Sequence, residues 1–380
     1  MVAFSVHAAV AGSLGPRIPA LKEQAGLSAG SLGVSLTGYA LGLFAGTRLA
    51  GGLVRRFGSR HVIRTGIPIQ CLALVTLALG RTLPSLAGAF IVVGVVSGVL
   101  DVAMNSQAVA VERGYRRPIM SSTHASWSAA MLAGSLVGAG AAALGVPLFL
   151  HFGLLAVVLG VASVRTLGGL LPSDATELVL VESTGPPEPS LRAMRSAAVL
   201  VLGLIAFSSF LGEGAAVDWS AVYLRDGLRA TAGVAGLGFV AFSAGMTASR
   251  LVADRLSSRF GPDRVLRAGG LTAAASLTVG LVVHDVPATI AALALMGSSL
   301  GPVVPITFSA AGNTRGPSTG AVLGWVVTIG YLGSIVGPFL IGFAAEWASL
   351  RWALAIPAAL GLVIFLAGGR ARSSPPSAGV

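Results

Sequence analysis

Long apolar runs alternate along the chain with short polar turns. A helix needs roughly 20 apolar residues to cross the hydrocarbon core of a bilayer. By that measure the runs predict twelve helices, at residues 2–19, 31–53, 62–80, 85–110, 120–143, 148–170, 197–217, 232–253, 265–284, 287–311, 319–342 and 352–369. The runs are too long and too continuously apolar for barrel strands, which alternate. Ala9-Val10-Ala11 has the small-residue spacing of a signal-peptidase site, but no basic stretch precedes it, so the first run reads as a span. The longest polar stretch, about 171–196, carries Pro172, Pro186, Pro187 and Pro189 and divides the runs into two sets of six.

Composition agrees with membrane burial: apolar residues make up 54% of the chain and charged residues only 10%. A soluble surface needs considerably more charge than that. The net charge of +11 raises the question of nucleic-acid binding, and the placement of the charge answers it. Basic residues gather in turns: Arg55, Arg56, Arg60 and Arg64; Arg113, Arg116 and Arg117; Arg255, Arg259, Arg264 and Arg267. No basic stripe is interleaved with aromatics, which excludes a nucleic-acid surface. The same turns set orientation, because Arg and Lys favour the cytoplasmic side. With both termini cytoplasmic, Arg165, Arg192, Arg195, Arg315, Arg370 and Arg372 join that side, against Arg17, Lys22, Arg81, Arg225, Arg229 and Arg351 outside, an asymmetry of about threefold. Cys71, alone in an apolar run, reads as a small buried hydrophobe and rules out a disulfide framework.

An internal repeat organises the spans. Shifted by 203 residues, Ala3-Phe4-Ser5 meets Ala206-Phe207-Ser208, Gly33 meets Gly236, Gly42 meets Gly245, and Arg56-Phe57-Gly58 meets Arg259-Phe260-Gly261. About a quarter of positions 3–66 are identical, more than apolar composition alone explains. After a four-residue slip, Gly134-Ser135-Leu136-Val137-Gly138 meets Gly333-Ser334-Ile335-Val336-Gly337. The reading is an all-α membrane protein of twelve transmembrane helices in two six-helix halves, 1–170 and 197–369, with a cytoplasmic linker at 171–196 and a tail at 370–380. Parallel repeats of this kind build transporters whose solute site lies at midplane. Glycines four apart, such as Gly38, Gly42 and Gly46, or Gly94 and Gly98, let such helices approach closely.

The turn Gly51-Gly52-Leu53-Val54-Arg55-Arg56-Phe57-Gly58-Ser59-Arg60 resembles the signature loop of the major facilitator superfamily, with Arg55 where that family usually has Asp. The second-half loop, Arg250 to Leu256 leading to Phe260-Gly261, carries the acid as Asp254. The segments Leu100-Asp101-Val102-Ala103-Met104-Asn105, Asp218-Trp219-Ser220-Ala221-Val222-Tyr223-Leu224 and Gly330-Tyr331-Leu332-Gly333-Ser334 resemble the bacterial branch that includes MosC and YbjJ. The first of these is also similar to the fourth-helix motif of proton-coupled fucose permeases, which has Glu in place of Asp101. The resemblance implies the major facilitator fold, alternating access, and gating roles for Arg55, Arg56, Gly58, Arg60, Asp254, Arg255 and Gly261.

Ser97, Asp101 and Asn105 lie four apart and form one polar stripe on the fourth span. An ionised carboxylate at that depth costs at least about 2.5–3.5 kcal/mol, so Asp101 reads as a carrier of the coupling proton or as an interhelical hydrogen-bonding acid. Glu213, between Gly212 and Gly214, suggests an unwound turn with Ser209 on the same face. It reads as a solute acceptor or second protonatable group, or else as a gate acid paired with Arg17. Asn105, which can donate and accept, His7, Trp127 and Ser209 are the remaining candidate solute contacts. Asp218 and Trp219 read as interfacial anchors or gate elements, His124 as a loop-proximal residue, and Pro302 with Pro305 as the source of a kink in the tenth span. Ser121, Ser122 and His124 lack an acidic orienter, and neither metal-ligand spacing nor a Walker sequence occurs, which argues against an enzyme or an ATP-driven pump. The expected partners are the lipid bilayer, a small-molecule solute and protons, with no nucleic acid, no cofactor and no metal. The expected working unit is a monomer in a bacterial inner (plasma) membrane. Proton-coupled uptake of a sugar, polyol or amino-sugar is the leading activity, and proton-antiport efflux the alternative, against which the 6% aromatic content weighs mildly.

Overall fold

The computed structural model describes residues 1–115, 120–171, 196–314 and 319–369. The interior of the 171–196 stretch and the tail 370–380 lie outside the described residues, and so do Arg116, Arg117, Arg192, Arg195, Arg315, Arg370 and Arg372. Every regular element among the described residues is helical. Among the described residues, eleven helices are long and apolar enough to cross a membrane. The first predicted span escapes that count because it is broken: Val2–Leu14 is followed by a 3-10 turn at Gly15–Arg17 and then by Ile18–Gln24. Pro16 lacks the N–H that would carry the α-helical ladder through.

The remaining spans follow the expected order and overrun most expected ends by a few residues. They are Ala29–Phe57, Ser59–Leu79, Leu83–Tyr115, Met120–Ala143 and Leu148–Thr166, then Ala197–Val222, Ala232–Phe260, Pro262–Val283, the pair Val286–Leu300 and Val303–Gly312, Thr319–Ala348, and the pair Leu350–Ala353 and Ala355–Gly368. Below they are called the second to twelfth spans. The overruns are amphipathic ends, such as Val54–Phe57, where helix continues past the apolar run. Ser28 caps the second span by accepting from the Ser31 N–H at 3.2 Å. The tenth span breaks between Leu300 and Val303, at Pro302, where a kink was expected.

The repeat extends to packing. The second and eighth spans are each 29 residues long and sit 203 apart in sequence. A Cβ added at Gly42 would strike the Ile91 carbonyl of the fourth span, and one at Gly245 would strike the Ala294 carbonyl of the tenth, the same pair displaced by the same offset. Gly98 against Leu43 and Gly301 against Met246 repeat the relation. Main chains in contact here leave no room for a side chain, so glycine is required on geometric grounds. Gly58 and Gly261 end the second and eighth spans with φ of 75° and 85°, a region that favours glycine.

Contacts group the chain into two units. The first comprises 1–184, 216–243 and 338–353, the second 185–215, 244–337 and 354–380. In the second unit, Val199, Leu202, Ala206, Ala311, Val322 and Val326 form a buried cluster, flanked by Phe308, Trp325 and Ile329. Leu72, Val157, Val164 and Leu251 are among many large apolar side chains left exposed on the helix exteriors, as a lipid-facing surface demands.

Candidate functional site

In the first unit a chain of polar groups runs through apolar helices. His7 of the first span is buried, and its Nδ1 lies 3.0 Å from Gln70 Oε1 and 2.8 Å from Gln70 Nε2. Gln70, on the third span, also donates through Nε2 to Ser97 Oγ of the fourth span at 3.2 Å. Four residues on, Asp101 accepts from Asn105 Nδ2 at 3.2 Å, and the same amide reaches the Asp101 carbonyl at 2.9 Å. The Asp101 carboxylate lies within electrostatic reach of His7 and His124, and the Tyr39 phenol is hydrogen-bonded to Ser97. Three of the predicted residues on the fourth span and His7 are thus brought together, with Gln70 and Tyr39 as members the sequence reading missed. Gln70 carried a signal, an uncharged amide deep in an apolar run, where a polar group is costly unless partnered.

His124 lies in the first turns of the fifth span, near its start as expected. Its ring is edge-on to Phe4, centroids 5.9 Å apart. Trp127, three residues along the same helix and half-buried, shares that side of the span.

In the second unit Ser209 Oγ donates to Glu213 Oε1 at 3.2 Å, as their one-turn spacing suggested. The expected unwound turn is absent: Ala197–Val222 is one continuous α-helix through Gly212 and Gly214. Lipid offers no hydrogen bonds in exchange for broken ones, so glycine alone does not open a membrane helix. The pairing of Glu213 with Arg17 is also corrected. Glu213 Oε2 lies 3.6 Å from Arg250 Nη2, and Arg250 Nε donates to the Gly301 carbonyl at 3.4 Å. Arg17 instead donates through Nη2 to the Val146 carbonyl at 2.6 Å. Linear sequence gave no means of ranking one cation against another at a distance of tens of residues.

The signature turn of the first half lies at the far end of the second span from the turn that joins the first and second spans. Arg55 and Arg56 are exposed there, and Arg60 Nη2 donates to the Gly168 carbonyl at 3.2 Å. In the second unit Arg255 is exposed near the matching end of the eighth span. Arg56 stacks over Phe57 and Arg259 over Phe260, each with the guanidinium carbon 5.3 Å from the ring centroid, again one repeat apart. Asp254 lines a cavity of about 260 Å³ with Ser257, Ser309 and Asn313, all within the second unit.

At the first-turn end, still within the first unit, segments from both sequence halves are tied together. Lys22 Nζ contacts Asp226 Oδ2 at 2.6 Å, and Glu346 Oε1 accepts from the Gly30 N–H at 2.6 Å. None of Lys22, Asp226 and Glu346 was singled out as a gate from sequence. Asp218, half-buried, lies within electrostatic reach of Tyr39. Trp219 was expected at an interface or gate. Its ring is fully buried, with its indole N–H unpartnered. The exposed tryptophans at this end are Trp347 and Trp352, placed as an aromatic belt would be.

The Major Facilitator Superfamily profile matches residues 1–228 and again 202–379. An uncharacterized MFS-type transporter of Yersinia pestis is 35% identical over 92% of this chain and 88% of its own length. The uncharacterized transporter y4wD of Sinorhizobium fredii is 33% identical over 92% of this chain and 90% of its own, and the membrane protein MosC of Rhizobium meliloti 30% identical over 98% and 90%. Among solved structures, a D-xylose-proton symporter superposes with a TM-score of 0.74 at 14% identity, covering 97% of this chain and 95% of that one. A mutant of the nucleoside transporter NupG gives 0.74 at 10% identity over 98% of each chain. At those identities the two structures are similar in fold alone.

Proposed function

The chain belongs to the major facilitator superfamily, and on that premise we propose that it takes up a small polar solute, a sugar, polyol or amino-sugar, together with protons. It is a multi-pass membrane transporter; the uptake direction, the solute class and the coupling are our reading. The observation that carries it is the Asp101–Asn105 pair beside the His7–Gln70–Ser97 chain. A carboxylate at this depth is costly unless it binds a proton or meets a cation, and its neighbours supply amides, hydroxyls and imidazoles in place of a fixed guanidinium. Such surroundings suit a group that gains and loses a proton, and amides and hydroxyls suit a solute made of hydroxyls. Asp101 is the proposed proton carrier, with Ser97, Asn105, His7 and Trp127 on the solute side.

Glu213 with Ser209 forms the second polar point, where Arg250 holds the carboxylate between protonations. Alternating access by rocking of the halves 1–170 and 197–369 completes the mechanism. Proton and solute drive it only through unequal affinity for the two facings. The protein acts as a monomer in the bacterial inner membrane, with both termini in the cytoplasm, so the first-turn end faces outward. There we read the Lys22–Asp226 and Glu346–Gly30 contacts as the outer gate; Arg55, Arg56, Gly58 and Arg60 in the first unit, and Asp254, Arg255 and Gly261 in the second, are the residues proposed for inner gating.

The test is uptake into proteoliposomes under an imposed inward proton gradient, using a panel of sugars, polyols and amino-sugars. Asp101→Asn is expected to abolish gradient-driven accumulation while leaving solute exchange in place. Undiminished uphill uptake in that variant refutes the assignment, and proton-driven extrusion of lipophilic cations replaces uptake by efflux.

A further inference from the structure

Two buried basic side chains of the first unit are not used by the transport reading. Arg17, 4% exposed, sits in the broken turn of the first span, and His151, 5% exposed, lies at the start of the sixth. Arg17 reaches the Val146 carbonyl, two residues ahead of the helix Leu148–Thr166, so its guanidinium stands at the mouth of that helix. Its Nε and both ring nitrogens of His151 are buried without a hydrogen-bond partner. The two groups lie within electrostatic reach of each other, and neither is in an ion pair found among the described residues.

The helix end adds to the imbalance. The His151 N–H bonds the Pro147 carbonyl at 2.9 Å, which places Pro147 at the cap position. Proline has no side-chain oxygen, so it cannot cap the first amides of the helix, and these carry the positive end of the helix dipole. A guanidinium is charged at any physiological pH, and a buried charge is tolerated only when it is paired. A guanidinium and an imidazole with unpartnered nitrogens therefore lie at the start of one helix, whose first amides have no side-chain cap.

We propose that Arg17, His151 and the N-terminus of the sixth span bind a small monovalent anion, either a halide or a carboxylate. Helix N-termini accept anions readily, and here the buried Arg17 guanidinium adds to the field while the His151 ring can offer an N–H. The anion neutralises the cluster and fastens the broken turn of the first span to the start of the sixth, independently of which solute is carried.

Thermal unfolding of the purified full-length protein is the first test, with chloride and acetate each titrated against gluconate at fixed ionic strength. Ligand that binds the folded state raises the apparent melting temperature and saturates. A saturable rise with chloride supports a halide site, and a rise with acetate alone supports a carboxylate site. In His151→Phe, which keeps an aromatic ring and removes the imidazole N–H, the anion should bind about tenfold more weakly. An anomalous bromide peak beside Arg17 Nε would locate the site without any variant. Melting temperatures indifferent to chloride and acetate overturn the proposal, as does an unaltered anion response in His151→Phe.

Discussion

Replacing Gly94 by alanine tests whether glycine sets the spacing of the second and fourth spans. The added carbon would collide with the Tyr39 carbonyl and stand 2.8 Å from the Leu43 nitrogen, both main-chain atoms of the second span. Ordinary contact lies near 3.5 Å, so the helices would have to part by more than half an ångström along a shared face. A gap of that size forfeits about a quarter to a half of the dispersion energy at each contact. Overpacking of this kind costs about 1–3 kcal/mol. Gly88 is the internal control, since it lies on the same helix with nothing within 4 Å of an added Cβ. Gly88→Ala should gain roughly 0.5–1 kcal/mol of helix propensity. That gain is common to both substitutions and cancels, so the two variants should differ by the overpacking cost alone, about 1–3 kcal/mol. The assay is unfolding of purified protein in one detergent, followed by tryptophan fluorescence. Equal stability of Gly94→Ala and Gly88→Ala would refute the packing account.

Two further predictions concern charge. Lys22→Ala should favour the form opened at the first-turn end by a factor of about 1.4–5, since an exposed ion pair contributes about 0.2–1 kcal/mol. Labelling of a cysteine placed at residue 27 reads the shift; the exchanged pair Lys22→Asp with Asp226→Lys should restore the wild-type rate, and no rescue removes the pair from the gate. Glu213→Gln should cost more stability than Arg250→Leu, because it strands a guanidinium that cannot shed its charge, whereas the carboxylate left by Arg250→Leu can take a proton. The reverse order in matched unfolding assays would count against the pairing.

Much of the architecture is legible because membrane helices must satisfy their own backbone, which makes apolar run length a direct readout. The apolar run at 120–143 has the same limits as the fifth span. The first run continues through Pro16, where the helix breaks, and hydropathy stops short of Val54–Phe57 because helix outlasts hydrophobicity at an arginine-rich end. On the fourth span the Ser97, Asp101 and Asn105 stripe is visible from spacing alone, since residues four apart share a face. Contacts between distant segments are not: the Gln70 bridge, the Arg250 partner of Glu213 and the Lys22–Asp226 pair each depend on helix rotation and tilt, which span length leaves open.

The duplicated packing also bears on how the protein came to divide its chemistry. Carried forward by the 203-residue offset, His7 falls on Phe210, Gln70 on Ala273, Ser97 on Leu300, Asp101 on Val304 and Asn105 on Phe308. Carried backward, Ser209 and Glu213 fall on Val6 and Val10, and Arg250 on Thr47. Where one copy holds a hydrogen-bonded chain, the other has aromatic packing, with Phe210 and Phe308 6.2 Å apart between centroids. Gly42, Gly94 and Gly98 recur in both copies, whereas Asp101, Glu213 and Arg250, the ionisable groups within the two polar sites, each occur in one copy only. A doubled ancestor held in shape by its glycines would have been free to specialise each copy without losing its fold. The mismatches between the two copies, read position by position, are then a map of where that specialisation took place.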